Sequence, residues 1–221
     1  MRRHMFRWSP ARIIAGAFGS SSFIGSILLY LPWGHMPGQS ITYVDALYTA
    51  VSALCVTGLS IVDTAAVFNP FGQAILAVLI QVGGLGVSTM GAGVLLMLGR
   101  KVGIRQRNLI HDTMNLDSYS GVVRFLRTLF ATTVFIEIIG AFLGYFVFRR
   151  DYEMMESIGL SIFHSISSFN NAGLTILTKE RSMEMYAEDP FMLILTTALV
   201  FVGGLGFIVI RECWGNRFRW R

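Results

Sequence analysis

Asp45-Ala-Leu-Tyr-Thr-Ala-Val-Ser-Ala-Leu-Cys-Val-Thr-Gly-Leu-Ser60 occurs in this chain a second time, 115 residues on, as Leu160-Ser-Ile-Phe-His-Ser-Ile-Ser-Ser-Phe-Asn-Asn-Ala-Gly-Leu-Thr175. In that register Gly58 falls on Gly173, Leu59 on Leu174, Ser60 on Thr175, Ser52 on Ser167 and Tyr48 on Phe163. The helix that follows is repeated too, with Pro70-Phe71 matching Pro190-Phe191 and Val82-Gly-Gly-Leu-Gly86 matching Val202-Gly-Gly-Leu-Gly206. The offset there is 120, so the later copy carries five extra residues between loop and helix. A repeat of this length in an apolar chain predicts one structural unit used more than once around a shared axis.

Hydrophobic residues make up 53% of the 221 residues and charged residues 14%, and the mean hydropathy is +0.58. Soluble domains carry about 25% charged residues, so the composition predicts a membrane protein. Four stretches are long and apolar enough to cross about 30 Å of hydrocarbon. They are Ile13 to Leu31, Phe71 to Leu98, Leu126 to Phe148 and Phe191 to Ile210. The second is longer than a span requires and is expected to tilt or project. The first follows Arg2, Arg3, Arg7 and Arg12 like the start of a signal peptide. Its apolar run exceeds the 7–15 residues typical of a cleaved signal, so it reads as a retained span.

Basic residues set the orientation. Four precede the first span, six lie between Arg100 and Arg127, and four follow Ile210, against only Arg149, Arg150, Lys179 and Arg181 in the other gaps. The basic side is cytoplasmic, which puts both termini inside a plasma (inner) membrane. Asp45, Asp63, Asp151, Glu153, Glu156, Glu180, Glu184, Glu188 and Asp189 then face outward. The pI near 9.6 follows from this topology, and no nucleic-acid partner is expected. Cys55 and Cys213 fall on opposite sides and cannot pair; neither has metal-ligand spacing. No His, Cys or acidic cluster has catalytic or metal geometry, so neither an enzyme nor a tightly bound cofactor is expected.

The segments Tyr43 to Leu54 and Glu156 to Phe169 are too short to cross a bilayer, at about 18–21 Å as helices. They enter partway and turn back. Non-helical backbone at that depth survives only where protein buries it or water reaches it. The returning segments Val56-Thr57-Gly58-Leu59 and Asn171-Ala172-Gly173-Leu174 are therefore expected to line an aqueous path, with backbone carbonyls turned inward to replace a cation's hydration shell. Glycine adopts the required backbone angles without the penalty of a Cβ. The partly negative C-terminal end of each half-helix favours a cation as well, and external acids such as Asp45 and Asp63 would concentrate cations at the mouth. Two amphipathic interfacial helices with glycine turns are the plain alternative; two copies in register, each before a matching span, favour the pore.

These motifs, with Gln81-Val-Gly-Gly-Leu-Gly86 between them, closely resemble the Trk/Ktr/HKT potassium transporters over about Pro10 to Arg221, with the membrane subunit of Ktr systems as the nearest type. The resemblance implies a potassium-channel-like pore of four span–pore loop–span repeats with one filter glycine each, Gly58 and Gly173 matching two of them. Serine at the first filter glycine accompanies sodium selectivity in plant relatives, so Gly58 argues for potassium, with sodium as a second candidate ion. The resemblance also implies docking on a cytosolic ring of nucleotide-binding RCK subunits through Arg100, Lys101, Arg105 and Arg107, and a homodimer in which each protomer has its own pore. Family members carry four repeats and this chain two; the third and fourth filter loops, a gating loop and a pore-facing arginine would all follow Arg221. A fragment is favoured over two chains sharing one pore.

The expected fold is all-α and transmembrane, two repeats of span, pore half-helix, filter loop and span. Residues 1–100 form the first repeat with its cytoplasmic start, 101–125 a basic cytoplasmic linker, 126–212 the second repeat and 213–221 a basic tail. The expected function is potassium translocation as the pore-forming subunit of a Trk/Ktr-type uptake system. The alternative is a non-conducting pore half that assembles with or inhibits an intact subunit. Glu137, within the third span, is expected to pair with Arg124 or Arg127 rather than relay ions. His164, aligned with Thr49, is expected to pack and hydrogen-bond within the helices. Val82-Gly-Gly-Leu-Gly86 lacks the spacing of a nucleotide loop and is expected to let helices approach closely in lipid.

Overall fold

The computed structural model describes residues 10–87, 89–92, 122–178, 183–206 and 209. Among these every named element is helical: α1 Pro10–Tyr30, α2 Tyr43–Leu54, the single turn α3 Thr64–Val67, α4 Pro70–Leu85, α5 Val122–Phe148, α6 Met154–Phe169 and α7 Pro190–Gly204, with short 3₁₀ turns at Pro32–Gly34 and Met183–Tyr186. Extended pairing is limited to one isolated bridge between His35 and Phe68.

The helix starts follow from local chemistry. Thr42 and Asp45 form a capping box at the head of α2, each side chain accepting from the other's backbone N–H. Asn69 caps α4 and Asp189 caps α7, in each case with proline at the first helical position, where its missing N–H has no intrahelical partner to lose. The expected half-helix Tyr43 to Leu54 has the bounds of α2, and the second begins two residues early, at Met154.

Helices α1, α2 and α4 pack together, as do α5, α6 and α7, and α4 also packs on α6. The two groups match in detail. A Cβ on Gly25 of α1 would press on Leu79 and meet Ala50, and one on Gly140 of α5 would press on Leu199 and Ser165. Those are equivalent positions at the offsets of 115 and 120 read from the sequence. The buried core runs through both groups, from Leu29, Ala50, Leu54, Leu76 and Ile80 to Phe148, Phe163, Met192 and Leu199. The outer faces are apolar too: Phe23, Ile24, Val78, Phe135, Ile138, Phe142, Ile194 and Phe201 are exposed. So much exposed apolar surface suits lipid rather than water. Helices α1 and α5 are long and apolar enough to cross a membrane, while α4 and α7 are shorter apolar helices.

That last point corrects the expectation of one continuous span from Phe71 to Leu98. Helix α4 stops at Leu85 because Gly86 takes φ +84°, a left-handed angle that ends a right-handed helix. The chain is helical again at Val87 and over 89–92, and the rest of the expected span lies outside the described residues. The repeat reproduces the break: α7 stops at Gly204, and Gly206 has φ +80°.

Candidate filter loops

Each loop begins where a half-helix runs out of partners. The amides of Cys55, Val56 and Thr57 donate back to Val51, Ala53 and Ser52, and those of Asn170, Asn171 and Ala172 donate to Ile166, Ser168 and Ser167. The helix end thus takes up the loop's N–H groups and satisfies its own last carbonyls. Positive φ then recurs at alternate residues: Val56 (55°) and Gly58 (73°), Asn171 (58°) and Gly173 (70°). Val56 is β-branched, a residue type for which this region is an outlier. Alternating the sign of φ turns successive carbonyls toward one edge, where a strand would turn them to opposite sides. With the amides held by the helix, that edge is free. The carbonyls of Val56, Thr57, Gly58, Asn171, Ala172 and Gly173 accept no hydrogen bond from a described residue.

The fourth residue of each loop differs. Ser52 Oγ donates to the Leu59 carbonyl at 2.5 Å, and Ser167 Oγ to the Leu174 carbonyl at 2.6 Å. Ser52 is also 2.9 Å from Thr57 Oγ1. The sequence repeat contains these serines but says nothing of their task, which is to tie the outgoing end of each loop to its half-helix. Leu59 and Leu174 therefore keep one carbonyl lone pair each for any ion, and the least committed oxygens are at 56–58 and 171–173.

The glycine motif of the inner helices holds the loops from behind. A Cβ on Gly83 would fall onto the Leu54 carbonyl, and one on Gly203 onto the Phe169 carbonyl. Only glycine lets the inner helix lie against the last carbonyl of the half-helix, so the expected close approach is between inner helix and half-helix.

Glu137 differs from expectation. Arg124 and Arg127 are exposed and make no ion pair with Glu137. The Glu137 carboxyl instead accepts from Asn170 Nδ2 at 3.2 Å and is a hydrogen-bond partner of the Gln81 side chain. Those residues are too distant in the chain for spacing to reveal. Asp45 and Asp63 are committed to helix caps at α2 and α3. His164 lies 3.0 Å from Thr196 Oγ1 and edge-on to Phe148, a packed position. Arg100, Lys101, Arg105 and Arg107 lie outside the described residues. Among the described residues no His/Cys/Asp/Glu group is arranged to hold a metal.

Two helices of membrane length and lipid-suited outer faces define a helical membrane protein. A family model described as TrkH, cation transport protein, matches residues 10–217. The Ktr system potassium uptake protein B of Bacillus subtilis is 35% identical over 211 residues, 96% of this chain and 46% of that protein. Its namesake from Vibrio alginolyticus is 36% identical over 100% of this chain and 47% of its own length, and the potassium/sodium uptake protein NtpJ of Enterococcus hirae is 35% identical over 93% and 45%. The chain belongs to the TrkH, or Trk/Ktr, family of cation transport proteins. It spans a little under half the length of the relatives it matches.

Proposed function

We propose that this chain forms part of a cation-conducting pore of a Trk/Ktr-type uptake system in the plasma membrane, with potassium as the ion and sodium as its competitor. The observation that carries this reading is the pair of loops whose carbonyls at 56–58 and 171–173 accept from no described residue while the amides at 55–57 and 170–172 are held by the half-helices. Such an edge can replace hydration water around a cation. The names of the relatives, potassium uptake and potassium/sodium uptake, support the choice of ion. Gly58, Gly173 and their neighbours Val56, Thr57, Leu59, Asn171, Ala172 and Leu174 are the proposed filter. In this reading each repeat is span, half-helix, loop and inner helix, and the basic flanks support a cytoplasmic location for both termini.

Two loops face an ion from two sides, and further ligands are needed around the axis. The unequal exposure of the two loops supports a place for them. Leu174 is 5% exposed, at the end of a half-helix packed on α4 of the other repeat, whereas its counterpart Leu59 is 58% exposed, beside exposed Val51 and Cys55. The outer flank of α2 is thus open for another repeat. That openness also favours a second reading, a pore half that conducts only after assembly with an intact subunit. Docking of an RCK-type subunit on Arg100, Lys101, Arg105 and Arg107, and a homodimer, complete the proposal.

The test is potassium-limited growth of a bacterial strain lacking its own uptake systems. Rescue by this chain, abolished by Gly58→Asp, is the expected result for a working pore. Membrane insertion without rescue would favour the pore-half reading. Rescue that survives Gly58→Asp would remove the loop from the pathway.

A further inference from the structure

The two loops are not held alike. Asn170 caps the second half-helix and is 8% exposed, while Cys55 at the same place in the first copy is exposed. Asn170 Nδ2 lies 2.9 Å from Gln81 Oε1 on α4, 3.2 Å from Glu137 Oε1 on α5 and 2.9 Å from the Ile166 carbonyl. Its amide oxygen faces Gly84, where a Cβ would collide with it. Ser165 Oγ of the same half-helix donates to the Glu137 backbone carbonyl at 2.8 Å. One side chain at the entry to the second loop is therefore bonded to the first repeat through Gln81 and to the outer helix of its own repeat through Glu137. The first copy lacks these groups: Ser22 stands where Glu137 would be and Ala50 where Ser165 would be.

We infer that Glu137 is a positioning residue for the second filter loop, acting through Asn170 and Gln81 to fix the carbonyl edge at 171–173 and so its preference for potassium over sodium. The inference rests on the filter reading above. The geometry supports it in three ways. Asn171, the next residue, has φ +58°, so the chain reverses its backbone hand directly after the side chain that is held. A carboxyl group at membrane depth is costly and persists where it has a task or a partner, and here its partners are the amides at the loop entry. Filter preference depends on ligand placement, and a side chain bonded to two helices at once limits how far the loop entry can move.

The experiment is thermal unfolding of the purified full chain in lipid nanodiscs, in potassium, sodium or choline chloride. An ion that binds the native state and not the unfolded one stabilises by RT ln(1 + [L]/Kd), so at equal salt the tighter-bound ion raises Tm more. Wild type is expected to show a larger rise in potassium than in sodium. Glu137→Gln keeps an acceptor for Asn170 and is expected to retain that difference, whereas Glu137→Leu and Gln81→Met are expected to lose it. A merely structural role would lower Tm equally in all three salts and leave the ion difference intact, which overturns the inference. Should Glu137→Leu fail to fold, Gln81→Met, close in shape to the native residue, decides the matter alone. Absence of any potassium effect in wild type would overturn the inference, whereas the filter reading stands or falls separately, on loss of growth rescue in Gly58→Asp.

Discussion

Gly58 and Gly173, 115 residues apart in the chain, lie side by side: a Cβ placed on Gly173 would sit 3.7 Å from the Gly58 Cα, and one placed on Gly58 would sit 2.7 Å from the Ala172 carbonyl oxygen. Both glycines have positive φ. The two positions are nonetheless unequal, because a side chain at 58 meets backbone and one at 173 meets ordinary contact. Gly58→Ala is therefore expected to disturb ion preference more than Gly173→Ala, although the backbone penalty, about 1–2 kcal/mol, is shared. Competition of sodium against rubidium or potassium uptake in the two variants checks the order.

The inner-helix glycines give a stability prediction. Gly83→Ala would drive a methyl into the Leu54 carbonyl, and Gly203→Ala into that of Phe169. Overpacking of this kind costs about 1–3 kcal/mol, and both variants are expected to unfold at lower temperature in detergent. Gly19→Ala is the control: nothing lies within 4 Å of its added Cβ, and replacing a helical glycine is expected to stabilise by about 0.5–1 kcal/mol.

Ser52→Ala and Ser167→Ala each free one end of a loop. A lost hydrogen bond of this kind is worth about 1 kcal/mol, small enough for the protein to fold. The expected phenotype is normal membrane abundance with lower potassium preference in uptake. Unchanged preference in both would mean that the ties to Leu59 and Leu174 are packing details.

At the start of α7 the Asp189 carboxyl is held below the ordinary carboxylate range, first by the backbone N–H of Met192, then by that of Phe191 and by Arg150, whose guanidinium lies 2.6 Å away. A depressed native value means stability that is present above the unfolded-state value near about 3.9 and is lost as pH falls through the native one. Asp189→Asn can still cap the helix but cannot titrate. Its Tm is expected to fall less than that of wild type between pH 5 and about pH 3, as thermal scans at each pH would show.

At the head of α4, Asn69 accepts from Phe71 and Gly72 and donates to the carbonyls of Trp33 and His35. Asn69→Ala is expected to destabilise by about 1 kcal/mol from the cap alone, and by more with the second set lost. Asn69→Asp keeps the cap only and should fall between the two in thermal unfolding.

The all-helical fold was legible in the sequence. Helix α2 occupies the segment read as a half-helix, because the apolar run, the capping residues and the following glycine all agree there. The matching of Gly58 with Gly173 was legible because local repetition preserves order along the chain. What escaped was set by contacts between distant segments. Gly86 reads as one more small residue in an apolar run, and its left-handed angle shows only in three dimensions. Spacing alone pairs Glu137 with an arginine about three helical turns away, yet its partners are 56 residues earlier and 33 later. Ser52 and Ser167 were visible as a matched pair, but a serine on an apolar helix has many possible bonds, and only the returning loop selects one.

The shift of offset from 115 to 120 is confined to the stretch between Thr175 and Pro190, before α7 begins. The later copy has grown there while keeping the half-helix, the loop, the glycine contact and the helix break in place. Duplicated units diverge in length where no counterpart constrains them, so this segment marks a natural graft point. A small epitope or fluorophore-attachment sequence placed between Leu177 and Met183 would test, on living cells, the outward orientation expected from the basic flanks.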